Sequence, residues 1–233
     1  MELSNNVVAE EFGEGGGWFL TTNYAATTDV VDSSITSNSA TEHYGRGGGI
    51  FLEAESGGTT TIRGSTLSGN QSGSLGGGLR IISRGGTTTV AESSIYGNSA
   101  SSSGGGVHAI TYGQGALSFS RSTIAANSAT ADGGGMTIIN LAGTITIADS
   151  TVSSNSSGSI SGIYFSSSVD TVSIERSTIT NNTSGGIRGP IDEELSCYTK
   201  RLWQATGRPE ALSPILVVIS IQKVHTTSLA PAS

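Results

Sequence analysis

From residue 1 to residue 189 the chain contains no proline, no lysine and no cysteine. The whole 233-residue sequence has one cysteine, Cys197, so no disulfide framework can hold it together. Scarce cysteine suits a chain that crosses a periplasm without wrong pairings, and a cytosolic chain equally. Charge is also sparse, at 12% of residues with a formal net charge of −7. Binding to nucleic acid needs clustered Lys and Arg to neutralise phosphates, and this acidic chain argues against it. No apolar run is long enough for a membrane-spanning helix; the longest candidate, residues 214 to 221, is far short. Helical periodicity of 3.6 residues is absent before residue 190. The N-terminus has acidic residues at 2, 10, 11 and 14 where a signal peptide would place basic and then apolar residues.

What the chain does have is a repeat. An aliphatic residue stands three positions before an asparagine seven times: Leu3/Asn6, Ile35/Asn38, Leu67/Asn70, Ile95/Asn98, Ile124/Asn127, Val152/Asn155 and Ile179/Asn182. Successive asparagines are 32, 32, 28, 29, 28 and 27 residues apart, so the extra length falls in loops of the early repeats, including 39 to 46. Two further apolar positions recur in each interval, after a glycine cluster and then eleven or twelve residues on: Trp18 and Val30, Ile50 and Ile62, Leu79 and Val90, Val107 and Phe119, Met136 and Ile147, Ile163 and Ile174. The intervening runs are short, β-branched and bounded by Gly or Ser, which favours strands. Three strands per coil, each pairing with its equivalent about 4.8 Å away in the next coil, predict an all-β, right-handed, single-stranded parallel β-helix of about six coils over residues 1–189. The first coil begins partway through a repeat, so the chain reads as a fragment of a longer protein.

In this fold Asn38, Asn70, Asn98, Asn127, Asn155 and Asn182 are expected to form a structural ladder along one corner, each amide bonding the next. The glycines are expected to supply positive φ or close backbone approach at another corner. A third corner carries Asp32, Gly64, Glu92, Arg121, Asp149 and Arg176, whose sign alternates from Glu92 onward and reads as a self-neutralising surface column.

Repeats such as GGGI, a Thr-rich strand, then STLSGN or STIAAN resemble the glycine-and-asparagine repeats of bacterial surface β-helix proteins, including polymorphic outer-membrane proteins. The wider likeness is to right-handed β-helix proteins with the pectin-lyase-like fold. This chain uses GGG where the outer-membrane family has GGAI, and an aliphatic where that family has Phe. The resemblance covers residues 1–189 and implies an extracellular or bacterial outer-surface segment with a structural or adhesive role, whose partner would be a host surface or a polysaccharide. It brings no catalytic motif with it.

Residues 190–233 break the pattern: all four prolines, both lysines and Cys197 lie there. Pro190 to Pro209 has the acidic start, basic later turn and Gly-Pro stop of a helix, and residues 214 to 221 read as a strand. The tail is either a cap over the open end of the solenoid or an artefactual extension.

Reactive groups are few, and neither a cofactor nor a metal is expected. A polysaccharide-active enzyme of the pectate-lyase kind would need Glu53, Glu55, Glu92 and Asp149 in one groove. His43 and His108 have no Asp or Ser partners at matching positions, and Cys197 has no second ligand at metal spacing. Sequons at Asn70, Asn155, Asn181 and Asn182 follow from Ser/Thr richness. Strand alternation instead predicts a flat outward face with Thr59/Thr61, Thr87/Thr89, Ala116/Ser118, Thr144/Thr146 and Thr171/Ser173 in two ranks. This face is the candidate binding surface, with ice binding as a further alternative because regular T-x-T arrays present evenly spaced hydroxyls and methyls.

Overall fold

A computed structural model of the chain describes residues 1–167, 172–189 and 216–221, and these build an all-β parallel solenoid of about six turns. Among the described residues there is no helix; the helix expected after Pro190 lies outside them.

Each coil has three principal strands. In the coil closed by Asn98 they are Leu79–Arg84, Thr87–Ala91 and Ser94–Tyr96. Leu79 pairs in register with Ile50 on one side and Val107 on the other, Thr87 with Thr59 and Ala116, and Ile95 with Leu67 and Ile124. A fourth, two-residue strand after the asparagine was not expected: Ser99–Ala100 pairs with Gln71–Ser72 and Ser128–Ala129. The faces carrying the second and third strands join in one thirteen-stranded sheet, because the strand Val172–Thr180 runs through the corner between them. Leu216–Ile221 pairs antiparallel with that strand. The face that follows the glycines forms a separate seven-stranded sheet from Trp18–Thr22 to Ile187–Arg188.

The recurring aliphatics fill the bore. Ile35, Ile50, Ile62, Leu67, Leu79, Val90, Ile95, Val107, Phe119 and Ile124 are completely buried, and Trp18 and Ile179 pack at the ends. Each such side chain contributes about 1.5–3 kcal/mol of hydrophobic stabilisation. Two more inward columns join them. Leu20, Leu52, Ile81, Ala109, Ile138 and Phe165 lie two positions along the seven-stranded sheet, while Leu117, Ile145 and Val172 lie behind the threonine face. In the earlier coils Thr28, Thr60 and Thr88 occupy that second position; Thr60 is bonded to Thr22 at 2.9 Å, and Thr88 Oγ1 is buried without a partner.

The chain turns its corners at left-handed backbone positions. The charge column Asp32, Gly64, Glu92, Arg121, Asp149 and Arg176 has φ between 44° and 59° throughout. A second column immediately precedes the asparagines, with Ser37, Gly69, Gly97, Ala126, Ser154 and Asn181 also at positive φ. Non-glycine residues are uncommon in that region, and the strand ladders on both sides hold them there.

Candidate functional site

The asparagine column runs unbroken from Asn6 to Asn182. Asn98 shows the pattern: its Nδ2 donates to Asn127 Oδ1 at 3.0 Å and to Leu67 O at 3.0 Å. Its Oδ1 accepts from Asn70 N and from Asn70 Nδ2, both at 2.9 Å. Both amide protons and both carbonyl lone pairs are therefore used, so a buried polar side chain carries no desolvation debt. Asn38, Asn70, Asn127 and Asn155 make the equivalent bonds. Asn70 and Asn155 are fully buried, which closes their sequons to modification.

A second ladder escaped the sequence reading. Ser33 N donates to Ser65 Oγ at 3.1 Å, and the same bond links Ser65 to Ser93, Ser93 to Ser122, Ser122 to Ser150 and Ser150 to Ser177. Each hydroxyl turns back to a carbonyl two residues earlier, as Ser93 Oγ does to Ala91 O at 2.7 Å. The signal was present: a serine follows every member of the charge column.

The glycines and asparagines do not occupy separate corners. A Cβ on Gly106 would lie 2.7 Å from Gly135 O and 2.8 Å from Asn127 Nδ2, and one on Gly78 would lie 2.9 Å from Asn98 Nδ2. The last glycine of the cluster packs on the asparagine amide of its own coil, closer than any side chain permits.

On the threonine face, Thr59, Thr61, Thr89 and Thr146 are partly exposed and Thr87 and Thr144 are exposed, with the intervening Thr60, Thr88 and Ile145 buried. Thr59, Thr87, Ala116 and Thr144 are in register, and so are Thr61, Thr89, Ser118, Thr146 and Ser173. Asp29 stands next to Thr61 on the N-terminal side. Thr171 lies outside the described residues.

The carboxylates are dispersed. Arg84 Nη1 donates to Glu53 at 2.9 Å and to Glu55 at 3.1 Å on the seven-stranded sheet. Glu92 and Asp149 sit at the charge-column corner, where Arg121 binds Glu92 at 2.7 Å and Arg176 binds Asp149 at 2.7 and 2.9 Å. Direct contacts within the column are thus the pairs Glu92/Arg121 and Asp149/Arg176, with Arg63 beside Glu92 and Glu175 on Arg176, and Arg176 holds the Asp149 carboxyl below its ordinary range. Among the described residues no cluster of three or more His, Cys, Asp or Glu has metal-binding geometry.

No family model, curated protein or solved structure matches this chain. Among the described residues no helix is long and apolar enough to cross a membrane. Its chemistry must therefore be read from its own geometry.

The least ordinary geometry lies on the outside of the seven-stranded sheet. Phe19, Phe51, Arg80, His108, Thr137, Tyr164 and Arg188 form one outward column. Phe19 stacks on Phe51 with ring centroids 5.2 Å apart. The glycine-cluster turns fold against this column, and Arg80 and His108 are each only 3% exposed. Arg80 Nη1 donates to His108 Nδ1 at 2.6 Å, which puts the imidazole proton on Nε2 and keeps the ring neutral. Burial, then Arg80, then Arg46 hold the His108 pKa well below its usual value. Burial and then Arg46 lower that of Arg80 to about 10. His43, in contrast, is exposed and edge-on to Tyr44 at 4.4 Å.

Proposed function

We propose that this chain is a non-catalytic segment of an extracellular or bacterial outer-surface protein, a rigid solenoid with a structural or adhesive role. The observation that carries this reading is the division of labour among the polar groups. The buried Asn and Ser columns are bonded coil to coil, while the two outward threonine ranks remain in register at the surface. A flat, repetitive hydroxyl-and-methyl face suits an extended partner such as a polysaccharide or host surface better than a small substrate. The likeness of the GGG and STIxxN repeats to polymorphic outer-membrane and pectin-lyase-like β-helices supports the same location. Separation of Glu53/Glu55 from Glu92/Asp149, each pair already engaged by arginine, weighs against the lyase or hydrolase alternative.

The double substitution Thr61→Arg, Thr89→Arg places two bulky charges in one rank without touching the core. Binding of the purified chain to bacterial or host cells and to a glycan array should fall about tenfold or more, with the circular dichroism spectrum unchanged. Unaltered binding would remove the threonine face as the adhesive surface. Ice recrystallisation inhibition, lost in the same variant, would redirect the reading to water ordering.

A further inference from the structure

Arg80 is a buried cation whose hydrogen bonds do not account for its charge. Its Nη1 reaches His108 Nδ1, Ile81 O at 3.3 Å and His108 O at 3.4 Å, so its partners are one neutral ring and two distant carbonyls. Its Nε is buried with no partner. Among the described residues no carboxylate ion-pairs with it. Arg46, the cation that most disfavours the charge on Arg80, has a buried and unpartnered Nε of its own. Its one ion pair, to Glu14, is long at 3.8 Å, and its side chain is 37% exposed. Burying a guanidinium within the field of a second one is costly unless something neutralises it. Phe51 and Thr137 occupy the same column without charge, so the fold has no need of a cation there.

We infer that Arg80, Arg46 and His108 form a receptor for a compact oxyanion, a sulfate or phosphate group that is either free or esterified to a larger molecule. The anion enters from the Arg46 side, where that side chain is exposed and weakly held, and takes over the role Glu14 fills at a distance. Beyond the Nη1 contacts, each guanidinium keeps charge-assisted N–H donors for the ligand, and His108 Nε2–H supplies a neutral one. Charge on the ligand then compensates charge that the folded chain leaves exposed to its own repulsion. The site lies on a different sheet from the threonine face and stands or falls independently of it.

The test follows the imidazole resonances of His108 by NMR in the full chain at pH 7. Inorganic sulfate and a heparin-derived tetrasaccharide are titrated separately against sodium chloride of equal ionic strength. A saturable shift of His108 with His43 unmoved is the expected result. Sulfate alone sufficing identifies a free-ion site, and a shift only with the tetrasaccharide identifies an esterified ligand. Arg80→Met should abolish the saturation and leave the chain at least as heat-stable as before. Arg46→Met, at a more exposed position, should weaken apparent affinity about tenfold and provides the comparison if the first variant fails to fold. No saturable shift with either probe, or an undiminished one in Arg46→Met, overturns the proposal.

Discussion

At the scale of single residues, the same amino acid costs or contributes according to whether the next coil offers a partner. Asn98 is buried and fully bonded, whereas Asn6 at the first coil is exposed. Replacing Asn98 with Leu strands the Asn70 N–H, one Asn70 Nδ2 proton and the Leu67 carbonyl, while Asn127 Oδ1 keeps only the backbone N–H of residue 98. Each buried unsatisfied group costs about 1–3 kcal/mol. Asn98→Leu should therefore lower unfolding free energy in urea by at least about 3 kcal/mol, while Asn6→Leu changes it by less than about 1 kcal/mol. Equal effects at the two positions would mean that the ladder contributes nothing beyond side-chain packing. Gly106 belongs to the same unit, because any side chain there would collide with the Asn127 amide.

At the scale of the sheet, the outward column of the seven-stranded face couples burial to protonation. His108 is neutral in the fold, with Arg80 bonded to its Nδ1 and Arg46 near enough to disfavour its charge. Once unfolded, the ring regains its ordinary pKa near 6.5. Below that value the unfolded chain binds a proton that the folded chain refuses, so stability is lost as pH falls and is fully present above about 6.5. Between roughly pH 6.5 and 5, before most carboxylates titrate, unfolding free energy should decline by up to about 1.4 kcal/mol per pH unit. In His108→Phe, which repeats the Phe51 of the same column, this slope should flatten. A slope that survives the substitution would assign the pH dependence to another group.

At the scale of the whole molecule, stability is a sum over coils and the interfaces between them. Deleting residues 99–127 removes one repeat and brings Ser128 to the place of Ser99, with which it already pairs. The shortened chain should fold with the same β-sheet circular dichroism and a single, lower thermal transition. Deleting residues 99–112 removes only part of a coil, joins unlike faces and should give an aggregating product. If both deletions fold equally well, the coils are not the cooperative unit.

Much of this organisation was legible because periodicity is a property of order along the chain. The Ile-x-x-Asn spacing located the core columns, and the asparagine positions followed from it. The fourth short strand was not legible, since a two-residue Ser-Ala segment carries no period of its own. The serine ladder was written in the order of residues, one place after each charge-column position, but serine is so frequent here that its neighbours mask it. The alternating charges were read as one column, whereas side-chain reach divides them into the pairs Glu92/Arg121 and Asp149/Arg176.

By itself, the order of residues determined that this chain stacks: a 27-to-32-residue period of aliphatic, glycine and asparagine positions permits parallel coils and little else. Only the tertiary structure decided what each coil meets on its neighbour. His43 and His108 look alike as isolated histidines, but one is exposed in an early loop and the other is buried against a guanidinium contributed 28 residues earlier. The physical reason is that electrostatic environment and hydrogen-bond supply depend on distance in space. In a solenoid the nearest residues across a coil boundary are a full period apart in sequence.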